Sequence, residues 1–276
     1  MYSRVPLEFP RRVAVPKTTR VLDGTRRWAN LLLAIAQGTL ALAFIFGVWS
    51  RNAAGFRRDP PIVPAFYELA VWMVIAVGCI VYAFYQFGAA RRADAVLRRV
   101  GSFTAAGFLG CCAWLLAAGI GRPAFAIPAL CWTAACLFFA FMPLWKLRGV
   151  APCFRWCVVA PISIYAGCLS VAISALAARN FRLVLGQPPG SVALLLSATL
   201  LILVVLRRSG GNLFFAATVA WGLIGIGVRN QFELKNRAAA RIVWVSLIAF
   251  VAAAAWLAVR GNREDEYEDE DEILEG

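Results

Sequence analysis

The chain has 276 residues, of which 61% are hydrophobic, and it carries 28 Lys and Arg against 15 Asp and Glu. Its mean hydropathy of +0.71 and its repeated apolar runs exclude a soluble globular domain and indicate a protein that crosses a membrane several times. Because the basic excess is not gathered in a soluble domain, it is typical of loops that meet anionic headgroups, and nucleic acid is not expected as a partner.

Eight apolar stretches predict eight transmembrane helices in chain order. They are residues 28–49, 66–87, 100–120, 125–145, 156–178, 191–206, 213–228 and 242–259. None shows the period-two alternation of barrel strands, and in hydrocarbon a helix pairs all of its own backbone groups. We therefore predict an all-α, polytopic helical bundle.

The loops between these helices predict the orientation in the membrane. When successive loops are assigned to alternating sides of the membrane, 18 Lys and Arg lie on the side of the two termini and 10 on the opposite side. Cytoplasmic loops are enriched in these residues, so both termini are expected on the cytoplasmic or an equivalent side. Nine of the acidic residues lie in the last thirteen positions, and such a tail cannot bury apolar surface, so we predict that it is disordered.

The second predicted helix carries a stripe of polar and aromatic residues. Its members recur every three or four positions and are Glu68, Trp72, Ile75, Cys79, Tyr82 and Gln86. That spacing places them on one helix face, while the other faces are Val, Ile, Ala and Phe, which suit lipid. We expect the stripe to point into the bundle, either as a seam where helices pack or as the wall of a pocket.

The residue types limit the chemistry of the membrane interior. The chain has no histidine, and its eight cysteines lie in or beside apolar spans, where free cysteine behaves as a small hydrophobic residue. No set of about four zinc ligands is visible, so no metal site is predicted. Buried carboxylate chains and nucleophile–base pairs are also missing, which argues against an enzyme.

Four of the predicted helices carry aromatic and proline motifs in a particular order. They are Pro64, Trp72 and Tyr85-Gln86 in the second, CCAW ending at Trp114 in the third, PISIYAGCLSVA (161–172) in the fifth and WGLIGIGVRN (221–230) in the seventh. In order and spacing these motifs resemble the TspO/MBR family, the tryptophan-rich sensory proteins related to the translocator protein. This chain is then a longer form with extra C-terminal helices.

The resemblance implies a domain organisation and a ligand. A basic N-terminal tail (1–27) would precede a five-helix core (28–178), followed by three additional helices (179–259) and the acidic tail (260–276). The aromatic cavity of such a core binds flat hydrophobic molecules such as porphyrins and sterols, so porphyrin is expected as a ligand, with no other cofactor. The candidate ligand-binding residues are Trp72, Tyr82, Gln86, Trp114, Pro161 and Tyr165.

Three positions depart from the family pattern and leave the function open. Cys111 stands where longer relatives have Asn, Cys168 where they have Trp, and Ala76 where they have Tyr. Since fold does not fix ligand, we expect a sensor or carrier of a planar or sterol-like molecule, with membrane lipids as partners and a homo-oligomer left open. The alternatives are a structural or assembly subunit without a ligand and a membrane enzyme acting on lipid or porphyrin.

Overall fold

The computed structural model describes residues 17–45, 70–88, 91, 94–147, 150–185 and 199–275, and these residues form helices and short turns with no strand among them. Six of the helices are long and apolar enough to cross a membrane. The prediction of an all-α, multi-pass integral membrane protein is therefore confirmed.

Eight helices follow one another in the described part of the chain. They are α1 (Lys17–Ile45), α2 (Ala70–Tyr85), α3 (Ala95–Gly119), α4 (Pro123–Phe141), α5 (Pro152–Phe154, the π-helical turn Arg155–Val159 and Ala160–Leu185), α6 (199–208), α7 (Leu213–Val228) and α8 (Arg237–Glu275). Each overlaps one predicted span, and the first parts of the second and sixth spans, 66–69 and 191–198, lie outside the described residues.

Short polar and proline signals set where several helices begin. The carboxylate of Asp94 accepts a hydrogen bond from the backbone N–H of Leu97 (3.0 Å) at the start of α3, and the Asn212 side chain does the same for Phe215 (3.0 Å) at the start of α7. Both contacts satisfy an N–H group that has no partner within the first helical turn. Pro123 occupies the first position of α4, where a missing N–H has no cost.

Helices α1 to α5 form a closed ring. Their main contacts run from α1 to α2, from α2 to α5, from α5 to α4, from α4 to α3 and from α3 back to α1. Side chains that point inward from different helices can therefore meet at the centre of the ring. Helix α7 packs on the outside of α5, and α8 packs on α7.

The C-terminal helix differs from its prediction. Helix α8 has 39 residues and continues through the acidic segment to Glu275, where the sequence predicted disorder. At 1.5 Å per residue it is about 58 Å long, roughly twice the thickness of a hydrocarbon core. Extending an existing helix requires no new nucleus and Glu is a good helix former, and both favour this continuation against the repulsion among the acidic side chains at the helix C-terminus.

Candidate functional site

The stripe on α2 points into the ring. Ile75, Cys79, Tyr82 and Gln86 are buried and Trp72 is half-buried, whereas the opposite face of the helix is exposed, with Val77 at 59%. The predicted inward orientation is confirmed for the described part of the stripe. Glu68, like Pro64 of the second-span motif, lies outside the described residues.

Three of the six predicted ligand-binding residues come together at one end of the ring. The rings of Trp72 and Trp114 stack with centroids 5.4 Å apart, and Tyr165 meets Trp72 edge-on at 5.9 Å. Phe108 stacks on Tyr165 at 6.2 Å and extends the group toward the centre of the bundle. We call Trp72, Phe108, Trp114 and Tyr165 the aromatic cluster; it joins α2, α3 and α5.

A small cavity lies beside the aromatic cluster. Its lining residues come from three helices and are Gln37, Ala41, Trp72, Ile75, Ala76 and Cys111. The cavity measures about 10 Å³, which is about the room for one water molecule. Two of the positions that depart from the family pattern, Ala76 and Cys111, thus lie in its wall, whereas the third, Cys168, is buried elsewhere in the core.

Gln37 is the cavity residue that sequence reasoning missed. The Tyr165 hydroxyl donates a hydrogen bond to Gln37 Oε1 (3.2 Å), while Nε2 of the same amide makes no regular hydrogen bond to any described residue. The side chain is only 3% exposed, and its neighbour Cys79 offers a thiol, which is a weak partner. The available signal was a single amide in the middle of an apolar run in the first predicted helix.

Tyr82 serves helix packing and lies one step away from the aromatic cluster. Its hydroxyl and that of Thr104 are 3.0 Å apart, and Thr104 donates in turn to Asn30 Oδ1 (2.7 Å). Asn30 completes the chain by donating to the carbonyl of Gly101 (2.8 Å). This buried polar chain links α2, α3 and α1, so this part of the stripe is a packing seam.

The structure does not bring Gln86 and Pro161 to the aromatic cluster. Gln86 lies 14 residues after Trp72, about 21 Å along a helix, and packs with Arg26 against Gly101. Pro161 packs against Gly78, where a Cβ atom added to the glycine would lie 3.2 Å from the Cβ atom of the proline. Both residues are buried, and both contribute to contacts between helices and not to the cavity wall.

The opposite end of the ring carries the buried charges. Asp23 on α1 pairs with Arg98 on α3 (2.6 Å), and Arg26 donates to the backbone carbonyl of Leu97. Arg98 and Trp114 are 16 residues apart on α3, about 24 Å along the axis. The charged contacts therefore fasten α1 to α3 away from the aromatic cluster.

The chemistry available at the aromatic cluster is stacking, apolar burial and hydrogen bonding by the Gln37 amide, the Tyr165 hydroxyl and the indole N–H groups. Across the described residues, no group of three or more His, Cys, Asp or Glu side chains could hold a metal ion. Aromatic faces favour offset stacking and edge-on contacts with flat partners, and a buried amide N–H favours an oxygen acceptor.

Comparison with families of known proteins finds a match over most of the chain. The model of the family described as TSPO-like protein matches residues 26–259. This range extends from α1 to α8 and is longer than the part of the sequence that carries the family motifs. No curated protein and no solved structure matches the chain.

Proposed function

We propose that this chain, which belongs to the family of TSPO-like proteins, binds a planar hydrophobic ligand of the porphyrin or sterol type at the aromatic cluster. The family match confirms the resemblance to TspO/MBR proteins and, with the apolar helices, makes the chain a TspO-like membrane protein. The observation that carries the proposal is the stacked pair of Trp72 and Trp114 beside a cavity and inside a ring of five helices.

Binding requires the two tryptophans to separate. A flat molecule inserted between them needs two stacking distances, about 7 Å, in place of the present 5.4 Å between centroids. Both indoles are only partly buried, and they lie at the edge of the core and not at its centre. An inserted ring would replace one aromatic contact by two, so the apolar burial that is lost on opening is recovered in the complex.

The residues of this chain predict how it would treat a metalloporphyrin. Since the chain has no histidine, no imidazole can ligate a haem iron, and attraction would come from stacking and apolar burial. We therefore expect metal-free protoporphyrin to bind about as tightly as haem.

A tryptophan-fluorescence titration of the purified protein in lipid nanodiscs tests the proposal. Metal-free protoporphyrin and haem are titrated into the wild type, Trp72→Ala, Trp114→Ala and the control Trp256→Ala, which changes an exposed tryptophan on α8. The two cluster variants should lose about tenfold in affinity, since stacking on one ring is worth roughly 1–3 kcal/mol, and the control should lose none. Unchanged affinity in both cluster variants would exclude this site, and a large preference for haem would indicate an axial ligand.

We propose the role of a sensor or carrier and not of an enzyme, with membrane lipids as the surrounding partners. The aromatic cluster offers no acid–base pair to a bound molecule, and a site made of stacking surfaces releases its ligand unchanged. Turnover of a porphyrin or lipid by the purified protein would contradict this role.

A structural or assembly subunit is the second candidate. It is favoured by the size of the cavity, about one water molecule, and by the polar chain through Tyr82, which acts as a packing seam. The same titration separates the two functions, because a purely structural protein would bind neither porphyrin above the level of empty nanodiscs.

A further inference from the structure

The Gln37 amide is incompletely satisfied at the place where a ligand would enter. Its Oε1 atom accepts a hydrogen bond from the Tyr165 hydroxyl at 3.2 Å, and among the described residues Nε2 has only the weakly accepting thiol of Cys79 beside it. The side chain is almost completely removed from solvent and lines the cavity together with Trp72 and Cys111. A buried N–H group without an acceptor costs free energy that native structures normally avoid.

We propose that Gln37 is the polar anchor of the site and that it selects planar ligands carrying an oxygen acceptor, a carbonyl or carboxylate, at the edge that enters the cavity. The inference rests on the proposed function and narrows its ligand class. The other lining residues are apolar, a thiol and the indole of Trp72, so an acceptor oxygen near Gln37 gains a hydrogen bond that an unsubstituted hydrocarbon ring leaves unmade.

The contact with Tyr165 determines whether the ligand must accept or donate the hydrogen bond to Gln37. A tyrosine hydroxyl that donates to Oε1 leaves Nε2 as the free end of the amide, and Nε2 can only donate, so a ligand that pairs with it must accept. A ligand with an N–H group at the same edge would place donor against donor and bind no better than a hydrocarbon. A group that recognises a substrate oxygen discriminates well because the analogue without it leaves a buried polar atom unpaired.

Three tricyclic molecules of nearly equal shape test the inference by equilibrium binding to the full chain in nanodiscs. Fluorenone carries a carbonyl acceptor, fluorene a methylene group and carbazole an N–H donor at the same ring position. Wild-type protein should bind fluorenone roughly tenfold more tightly than fluorene or carbazole, the effect of one buried hydrogen bond. In Gln37→Met, which keeps the length of the side chain but removes the amide, the three affinities should become equal.

A second variant tests the same inference if Gln37→Met does not fold. Tyr165→Phe removes the donor to Oε1 but leaves Nε2 in place, so it should still prefer fluorenone over fluorene. Equal binding of all three molecules by the wild type, a preference for carbazole, or a fluorenone preference that persists in Gln37→Met would each overturn the role of Gln37 while leaving the proposed function standing. Binding of none of the three would overturn the inference, whereas the proposed function is decided separately by the porphyrin titration.

Discussion

At the scale of single residues, the buried polar atoms of the ring are arranged as a directional chain. The hydroxyls of Tyr82 and Thr104 share a hydrogen bond, and Thr104 donates to Asn30 Oδ1. Because this uses the Thr104 proton, Tyr82 is the donor to Thr104, and Thr104 both accepts and donates. In a membrane interior an unpaired polar atom cannot turn to water, so the central member of such a chain matters more than its end. Thr104 is the central member.

Replacing the end and the centre of this chain should therefore have different effects. Tyr82→Phe removes one hydroxyl and should lower the free energy of unfolding by about 1 kcal/mol, because Thr104 keeps its contact with Asn30. Thr104→Val leaves both Tyr82 and Asn30 short of a partner and should cost roughly 2–3 kcal/mol. The free energy of unfolding of each variant is measured in mixed micelles by titration with a denaturing detergent. An equal loss of stability in the two variants would contradict the directional chain.

At the scale of the elements, α3 and α4 approach each other through glycine. A Cβ atom at Gly110 would lie 2.7 Å from both Thr133 Oγ1 and Trp132 Cδ1, closer than real contacts allow. A Cβ atom at Gly24 on α1 would meet no other described part of the chain within 4 Å, apart from its own helix backbone. The two glycines thus form a matched pair, since both lie in helices and only one faces a neighbouring helix.

Alanine at these two positions should shift stability in opposite directions. Gly110→Ala should destabilise the protein by about 1–3 kcal/mol because Thr133 and Trp132 must move. Gly24→Ala should leave stability unchanged or raise it by up to about 1 kcal/mol, since alanine has the better helix propensity. Thermal unfolding followed by circular dichroism measures both, and a stable Gly110→Ala variant would show that α3 and α4 pack less closely than described.

The helix α2 also shows which part of the site could be read from sequence. Its spacing of three and four residues predicted the inward face, because a bilayer leaves polar groups no other place to go. Spacing could not decide between a pocket wall and a packing seam, since both need an inward face. The structure shows both on one stripe: Trp72 and Ile75 line the cavity, and Tyr82 joins the polar chain.

At the scale of the whole molecule, the bilayer makes the spans predictable but not their arrangement. Length and hydropathy alone located the six long helices, since about 20 apolar residues are needed to cross a hydrocarbon core. The order of helices around the ring depends on which surfaces fit together. Gln37 was missed for the same reason: a single amide has no periodic pattern, and only its position opposite Tyr165 shows its role.

The orientation of the chain is a prediction at this scale. Eight helices return the C-terminus to the side of the N-terminus, and the excess of Lys and Arg in the loops on that side predicts that it is cytoplasmic or equivalent. Epitope tags at the two ends should respond identically to protease in sealed vesicles and in selectively permeabilised cells. Tags on opposite sides of the membrane would require an odd number of spans.

The measurement that tests the central claim most directly locates a bound ligand. Benzophenone, an aromatic ketone that cross-links to nearby C–H bonds on illumination, is applied to the protein in nanodiscs, and the labelled residues are mapped by mass spectrometry. If the aromatic cluster is the ligand site, labels should fall on α1, α2, α3 and α5 around Gln37, Trp72 and Trp114, and excess fluorenone should remove them. Labels confined to exposed residues such as Ile248 on α8, unaffected by fluorenone, would contradict the account.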